Sequence, residues 1–186
     1  ALEGLEAPLA APGLKVKLNC EPMGDNDDQL VPLAAQARDR ALDVRFIELM
    51  PIGLGSTLPR RTQAEVLEQL EGAFGPALPC DQGGGSGPGR YVTFAGFTGR
   101  VGFISAVSHQ FCESCNRVRL TATGFLKTCL QYETGVNLKA LLESGADGAA
   151  LRAAMEGAIF AKPACHHFSA AGTAEDERRS MYQIGG

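Results

Sequence analysis

The sequence has 186 residues, of which 45% are hydrophobic and 20% are charged, a composition typical of a globular domain that buries a core. Its formal net charge of −4 argues against a general nucleic-acid-binding surface, which needs a basic face. No apolar run approaches the roughly 18 residues of a membrane helix, and no secretory signal opens the chain. We therefore expect no membrane partner, a cytoplasmic location and reduced thiols.

The first part of the chain alternates between strand and helix patterns. Apolar and polar side chains alternate over residues 14–19, and an apolar stretch at 44–50 predicts a second strand. Apolar residues at helical spacing follow the first strand over residues 30–41. A capping box at residues 62–65 predicts the start of a further helix that continues to residue 74. This order indicates βα units and a parallel sheet.

The pattern changes after a Gly-rich stretch at residues 83–89, which lacks the Lys-Ser/Thr ending of a phosphate loop and is interpreted as a linker. Short strands are expected beyond it at 91–94, 101–107 and 117–121. Residues 122–124 predict a hairpin turn. Helices are expected near 138–143 and 149–160, and a polar tail follows.

Three of the six cysteines form a possible metal site. Cys112 and Cys115 are in a CxxC turn, and the hairpin would place Cys129 roughly opposite Cys115, where opposed side chains are about 5 Å apart. Three cysteines are one fewer than a closed zinc or iron–sulfur site uses. The residues alone leave three interpretations open: a 4Fe–4S cluster with one open iron, a Cys3His zinc-stabilised binding module completed by His109, or reduced structural thiols.

Basic residues accompany these cysteines. Arg117 and Arg119 are two residues apart on a predicted strand and should share a face, and Lys127 is expected on the returning strand, roughly opposite Arg117. Arg side chains match phosphate oxygens with forked donors. A solvated basic strand face is the alternative, but beside a cluster with an open iron we favour a nucleotide site.

Several segments of the sequence resemble a known family. Residues 111–122 and 124–130 are similar to the C-terminal cluster motif of the GTP 3',8-cyclase family, with the same spacing of all three cysteines. Residues 15–19 and 45–51 are similar to late strands of that family, and residues 184–186 are similar to its Gly-Gly tail. The resemblance runs across nearly the whole chain.

The resemblance implies an α/β fold. Residues 1–80 would form the last βα units of an incomplete TIM-like barrel, residues 81–90 a Gly-rich loop, and residues 91–186 a small cluster-binding and GTP-binding region with an extended C-terminal tail. It also implies a radical-SAM lyase of molybdopterin biosynthesis, which converts GTP to (8S)-3',8-cyclo-7,8-dihydroguanosine 5'-triphosphate.

The resemblance assigns roles by matching motif positions. Cys112, Cys115 and Cys129 would ligate a second 4Fe–4S cluster that binds guanine. The residues implied to bind GTP are Lys17, Arg45, Arg117, Val118 and Arg119. Met50 would contact S-adenosyl-L-methionine, and Gly185 and Gly186 would reach the active site as catalytic residues.

The chain departs from the family in one major respect. It has no CxxxCxxC motif, so the first 4Fe–4S cluster, and most of the S-adenosyl-L-methionine site, would belong to a larger parent protein. We expect this chain alone to be inactive. The resemblance further implies that cyclic pyranopterin monophosphate synthase receives the product, and it allows a homodimer.

Other residues received weaker expectations. Glu48 lies between apolar residues of a predicted strand, so it should either pair with Lys17 or Arg45 or be exposed to solvent. Cys20 is expected as apolar filling. The triplet Cys165-His166-His167 is expected to pack rather than to bind a metal.

Overall fold

Two β-sheets organise the chain in a computed structural model, which describes residues 3–83, 87–168 and 176–184. The helices are α1 (Glu3–Ala10), α2 (Asp27–Ala34), α3 (Gln63–Phe74), α4 (Leu138–Glu143) and α5 (Gly148–Phe160). The strands are β1 (Val16–Cys20), β2 (Leu42–Ile47), β3 (Leu78–Pro79), β4 (Arg90–Thr93), β5 (Arg100–Ile104), β6 (Arg119–Leu120), β7 (Phe125–Lys127) and β8 (Gly135–Asn137).

The chain divides into two compact units. Residues 1–49 and 58–109 form one of them, called here the sheet unit, and residues 50–57 and 110–186 form the other, called the cysteine unit. No helix among the described residues is both long and apolar enough to cross a membrane.

The sheet unit contains five strands in the order β1-β2-β5-β4-β3. The pairs β1–β2 and β2–β5 are parallel, whereas β5–β4 and β4–β3 are antiparallel. The parallel pairs confirm the βα units expected from the sequence. The mixed sheet supports the α/β class, and closure into a TIM-like barrel stays a prediction. The Gly-rich loop connects β3 to β4 within this one sheet, and the functional division predicted there also stays a prediction.

The core of the sheet unit is apolar and lies between one face of the sheet and its helices. Alternation along β1 directs Val16, Leu18 and Cys20 towards it. Helix α3 begins with the predicted capping box of Thr62 and Glu65. The buried members of the core are Leu5, Leu30, Ala34, Ala37, Leu42, Val44, Phe46, Val66, Leu70, Phe94, Val101 and Phe103.

The cysteine unit contains an antiparallel sheet in the order β6-β7-β8. The predicted hairpin turn is confirmed: Gly124 has a φ of 78°, and its N–H donates to the Thr121 carbonyl at 3.0 Å. This left-handed conformation favours glycine. Helices α4 and α5 start at the side-chain caps Asn137 and Asp147 and contain no buried residue.

Three elements were missed, and two strands are shorter than expected, of which the one predicted over 101–107 ends at Ile104. Neither α1, β3 nor β8 was predicted, because β3 and β8 have two and three residues and α1 contains Pro8. The strand predicted over 117–121 is reduced to Arg119–Leu120. The carbonyl of Arg117, the first residue of the predicted strand, accepts a hydrogen bond from the Lys162 ammonium.

Candidate functional site

The face of the main sheet opposite its core carries the first two predicted GTP ligands. Register places Lys17 beside Asp43 and Asn19 beside Arg45, so all four side chains emerge on one face. Lys17 is exposed and Arg45 is half-buried. The Arg45 guanidinium donates from Nε to Asn19 Oδ1 at 2.9 Å. The sheet therefore presents both predicted ligands on the same surface.

A third cation on this face, Arg100, is already paired with a carboxylate. Arg100 donates through Nε and Nη2 to the two carboxylate oxygens of Asp43, at 2.8 and 2.7 Å. Its guanidinium lies 4.5 Å from the centre of the Tyr91 ring. The hydrogen bonds that Arg100 donates to Asp43 raise the pKa of Arg100 above its usual value, against the opposing effect of burial. The N–H groups of Arg100 are bonded to Asp43, and the plane of its guanidinium lies over Tyr91. Arg100 therefore has a structural role.

Glu48 corrects the sequence expectation. It is buried and pairs neither with Lys17 nor with Arg45. Its Oε2 accepts bonds from the N–H groups of Val107 and Ser108, both at 2.8 Å, and its Oε1 accepts from the Ser108 hydroxyl. A buried carboxylate needs such donors, and here the backbone of the segment after β5 supplies them. Glu48 therefore fixes a loop.

Cys112 and Cys115 are the two ends of one tight turn. Residues Cys112–Ser114 form a single 3-10 turn, closed by the Cys115 N–H, which donates to the Cys112 carbonyl at 3.1 Å. Both thiols are half-buried and unoxidised. A turn of this kind presents two sulfur ligands from one short segment, which is the arrangement that a CxxC metal site uses.

Lys162 fastens this turn, and the sequence analysis missed it. Its ammonium donates to the carbonyls of Cys115 and Arg117, at 2.8 and 3.0 Å, and to Cys115 Sγ at 3.3 Å. The residue lies two positions after the end of α5. All three ammonium donors are used, so Lys162 joins the end of α5 to the cysteine turn and adds a cation next to a thiol.

The register of the hairpin places Cys129 differently from our expectation. Arg119 pairs with Lys127 and Leu120 with Leu126, and continuing this register brings Cys129 level with Arg117 rather than with Cys115. Cys129 is half-buried and free. Among the described residues, no three His, Cys, Asp or Glu side chains converge closely enough to hold a metal ion. Convergence of the three cysteines stays a prediction.

The predicted basic cluster loses one member. Arg117 is exposed, Arg119 is half-buried, and Val118 has a relative exposure of 44%. Lys127, in contrast, is buried in an ion pair with Glu177 and pairs across the hairpin with Arg119. Lys127 therefore cannot offer its charge to a ligand, because its ammonium is enclosed and already bonded. Two arginines remain beside the cysteine turn.

The buried carboxylate of Glu177 has a strongly shifted pKa. Burial alone would raise the pKa, but hydrogen bonds from Arg179 and Lys127 outweigh it and lower the pKa to about 2. Glu177 is consequently charged at any ordinary pH. No local pattern in the sequence marks this pair, since its partners are 50 residues apart.

The remaining candidates are distributed across the chain. Met50 is half-buried at the start of residues 50–57 of the cysteine unit. His109 Nδ1 lies 2.9 Å from Ser108 Oγ in the sheet unit. Cys165 Sγ and His167 Nε2 are 4.0 Å apart and belong to no metal-binding group among the described residues. Gly185 and Gly186 lie outside the described residues.

Comparison with known proteins identifies the family. Residues 42–168 match the model described as Molybdenum Cofactor Synthesis C. Three relatives named GTP 3',8-cyclase are similar along nearly the whole chain. The relative from Clostridium perfringens (strain 13 / Type A) is 39% identical over 179 residues, which are 93% of this chain and 54% of that protein. The relative from Pelotomaculum thermopropionicum is 40% identical over 190 residues, covering 100% of this chain and 58% of that protein.

The third relative, from Heliobacterium modesticaldum, is 44% identical over 188 residues, covering 98% of this chain and 57% of that protein. The chain thus spans about half the length of the curated relatives it matches. The family model covers more than half of the chain and includes the cysteine turn, the hairpin and Lys162. The chain therefore belongs to the Molybdenum Cofactor Synthesis C family.

Proposed function

We propose that this chain is the C-terminal part of a GTP 3',8-cyclase, in which it carries a second 4Fe–4S cluster and contributes contacts to GTP. The observation that carries the proposal is the family match over the cysteine turn and hairpin, together with relatives that bear this enzyme name. The reaction would convert GTP to (8S)-3',8-cyclo-7,8-dihydroguanosine 5'-triphosphate in molybdopterin biosynthesis.

The cysteines fit an iron–sulfur cluster in the chemistry of their donors. Cys112, Cys115 and Cys129 are all free and half-buried, and thiolates are the ligands that such clusters use. When bound, the cluster would offer an iron without a protein ligand, to which the guanine base can coordinate. Lys162, at 3.3 Å from Cys115 Sγ, would hold that ligand in place and raise the reduction potential through its hydrogen bond and charge.

The cations of the chain would bind the triphosphate. Arg117 and Arg119 flank the exposed Val118 next to the cysteine turn, and their guanidinium groups suit phosphate oxygens. Lys17 and Arg45 share one face of the main sheet and would supply further positive charge. Lys127 and Arg100 are engaged internally, so we do not include them among the proposed GTP contacts.

The complete reaction would need residues that this sequence lacks. A first 4Fe–4S cluster on a CxxxCxxC motif would generate a radical from S-adenosyl-L-methionine, with Met50 as a contact of that cofactor from this chain. Gly185 and Gly186 would reach the reaction centre. The chain alone would not catalyse the reaction. Its parent would be a cytoplasmic protein, able to form a homodimer, whose product passes to cyclic pyranopterin monophosphate synthase.

The test compares cysteine variants of the natural full-length protein, prepared without oxygen. Replacing Cys115 by Ala should remove about four irons and four sulfides per chain. Addition of GTP should change the electron paramagnetic resonance spectrum of the wild type and leave that of Cys115→Ala unchanged. Cys80→Ser is the matched control, because Cys80 is an equally half-buried free thiol outside the motif.

Two results would contradict the proposal. One zinc per chain that is lost in His109→Ala, with no spectral response to GTP, would favour a zinc-stabilised module instead. Equal iron content in Cys115→Ala and Cys80→Ser would show that the cysteine turn holds no cluster. In contrast, a GTP response that disappears in a variant lacking Arg117 and Arg119, at full iron content, would support the assigned phosphate contacts.

A further inference from the structure

The last described segment, residues 176–184, is held to the hairpin by an ion pair that the proposed reaction does not use. Lys127, on β7, and Glu177 both have side chains with 0% exposure. The Lys127 ammonium donates to Glu177 and, at 2.7 Å, to the carbonyl of Tyr132. Arg179 donates through Nε to Glu177 Oε1 and through Nη2 to Oε2, both at 2.8 Å. The Glu177 carboxylate is therefore completely satisfied.

Backbone contacts surround this ion pair. Asp176 forms a bridge with Tyr132, and the Glu177 N–H donates to the Gln131 carbonyl at 2.5 Å. The amide of Gln131 donates to Asp176 Oδ1 at 3.1 Å. The segment thus begins with an isolated antiparallel β-bridge to Tyr132, next to the buried ion pair.

The other end of the segment is held by close packing. Gly53 has a φ of 56°, and a side-chain carbon there would lie 3.2 Å from Ser180 Cα, so the backbone at Ser180 packs closely against this glycine. Ser180 and Gln183 close a capping box around one turn. Ile184 is fully buried. The final described residue is therefore fixed within the cysteine unit, one residue before Gly185.

A purely stabilising role explains this arrangement poorly. Burying two charges is costly, and an apolar pair of similar size often stabilises a protein as well or better. A buried carboxylate with three donor groups, in contrast, admits only one position of its backbone. The ion pair is suited to placing the segment accurately.

We propose that Lys127 and Glu177 are positioning residues that dock residues 176–184 onto the hairpin and thereby set the place of the terminal Gly185 and Gly186. The inference rests on the proposed function in one respect, namely that these two glycines act at the reaction centre. Docking of the segment itself is independent of that function.

The experiment measures amide hydrogen exchange and steady-state kinetics in the natural full-length protein with its cofactors. In Lys127→Met and in the milder Glu177→Gln, exchange at residues 177–184 should rise about tenfold or more beyond any rise in exchange in α5 and in β7. The kcat for GTP should fall about 10-fold to 100-fold at an unchanged KM. Lys139→Met is the matched control, since it breaks the exposed Lys139–Glu143 pair of the same unit.

Several outcomes would overturn the inference. Unchanged exchange at 177–184 in both variants would show that the ion pair does not dock the segment. If amide exchange rose equally in α5, in β7 and at residues 177–184, Lys127 and Glu177 would have a merely structural role. If exchange at residues 177–184 rose and kcat stayed unchanged, Lys127 and Glu177 would not be positioning residues for the reaction. If the wild type did not convert GTP at all, the proposed function would fail, and the exchange data would still decide whether the ion pair docks the segment.

Discussion

The two units of the chain are stabilised by different kinds of burial. The sheet unit encloses a continuous apolar core that includes Phe46, Phe94 and Phe103. In the cysteine unit, the buried groups of the described residues are mostly polar: Thr121, Lys127, Thr128, Gln131, His166 and Glu177. Its helices α4 and α5 bury no residue, and Leu142, Ile159 and Phe160 are exposed. Apolar burial tolerates changes in charge and pH, whereas a buried polar network depends on every partner.

The largest expected effect is at the centre of that network. Lys127→Met should lower the free energy of unfolding of the cysteine unit by about 3–5 kcal/mol, because Glu177 remains buried without its cation. Urea denaturation would measure the loss. Lys139→Met, which breaks an exposed pair 3.7 Å long, should cost less than about 1 kcal/mol. Similar losses in the two variants would remove the distinction between buried and exposed pairs.

The next effect is a dependence of stability on pH that should be strongest in the cysteine unit. The pKa of Glu177 is about 2 in the folded chain, against an ordinary value of 4.5, so the folded state binds the proton more weakly. The resulting stabilisation of about 3 kcal/mol is present above pH 4.5 and is lost as the pH falls towards 2. Denaturation at several pH values should show this loss in the wild type.

Glu177→Gln is the variant that tests the origin of the loss. It keeps the size of the side chain and removes the titrating group, so unfolding of the cysteine unit should become nearly independent of pH between 2 and about 4.5. Glu143→Gln, on the exposed pair, should leave the wild-type profile unchanged. A profile that persists in Glu177→Gln would assign the acid sensitivity to other carboxylates.

A smaller effect is expected at the hairpin turn. Gly124→Ala should destabilise the cysteine unit by about 1–2 kcal/mol, because φ is 78° there, and the added carbon would lie 2.6 Å from Lys139 Cβ. Gly157→Ala, inside α5 and with open space around it, should instead stabilise by roughly 0.5–1 kcal/mol. Thermal unfolding of both variants would show the opposite signs. A stabilising Gly124→Ala would contradict the turn geometry.

The smallest effect concerns the sheet unit. Thr62→Ala removes the hydroxyl that accepts the Glu65 N–H at the start of α3, and it should cost about 1 kcal/mol of unfolding free energy. Thr62→Ser keeps the hydroxyl and should stay close to the wild type. Equal losses in both variants would mean that the cap does not stabilise the helix.

Local chemistry explains which parts of the fold the sequence could predict. The capping box of Thr62 and the turn at Gly124 depend on residues within a few positions, and both were predicted correctly. The parallel strands followed from the alternation of strand and helix. For the candidate site, the sequence predicted the tight turn of Cys112 and Cys115, and the shared face of Lys17 and Arg45 became evident only from the register.

Long-range partners explain what could not be predicted. Lys127 was expected in an anion pocket, because nothing near it indicates Glu177 at a distance of 50 residues. Glu48 was expected either to pair with a cation or to be exposed, yet it is buried and binds the backbone of Val107 and Ser108. Lys162 contacts a turn 47 residues before it. In each case, tertiary structure supplied a partner that no local spacing encodes.

The most direct test of the account is formation of the cyclised nucleotide. The natural full-length protein, its Cys115→Ala variant and its Cys80→Ser variant would be incubated with reductant, S-adenosyl-L-methionine and GTP without oxygen, and the product measured by mass spectrometry. The account predicts (8S)-3',8-cyclo-7,8-dihydroguanosine 5'-triphosphate from the wild type and Cys80→Ser, and none from Cys115→Ala. Equal product from Cys115→Ala, or no product from the wild type, would contradict it.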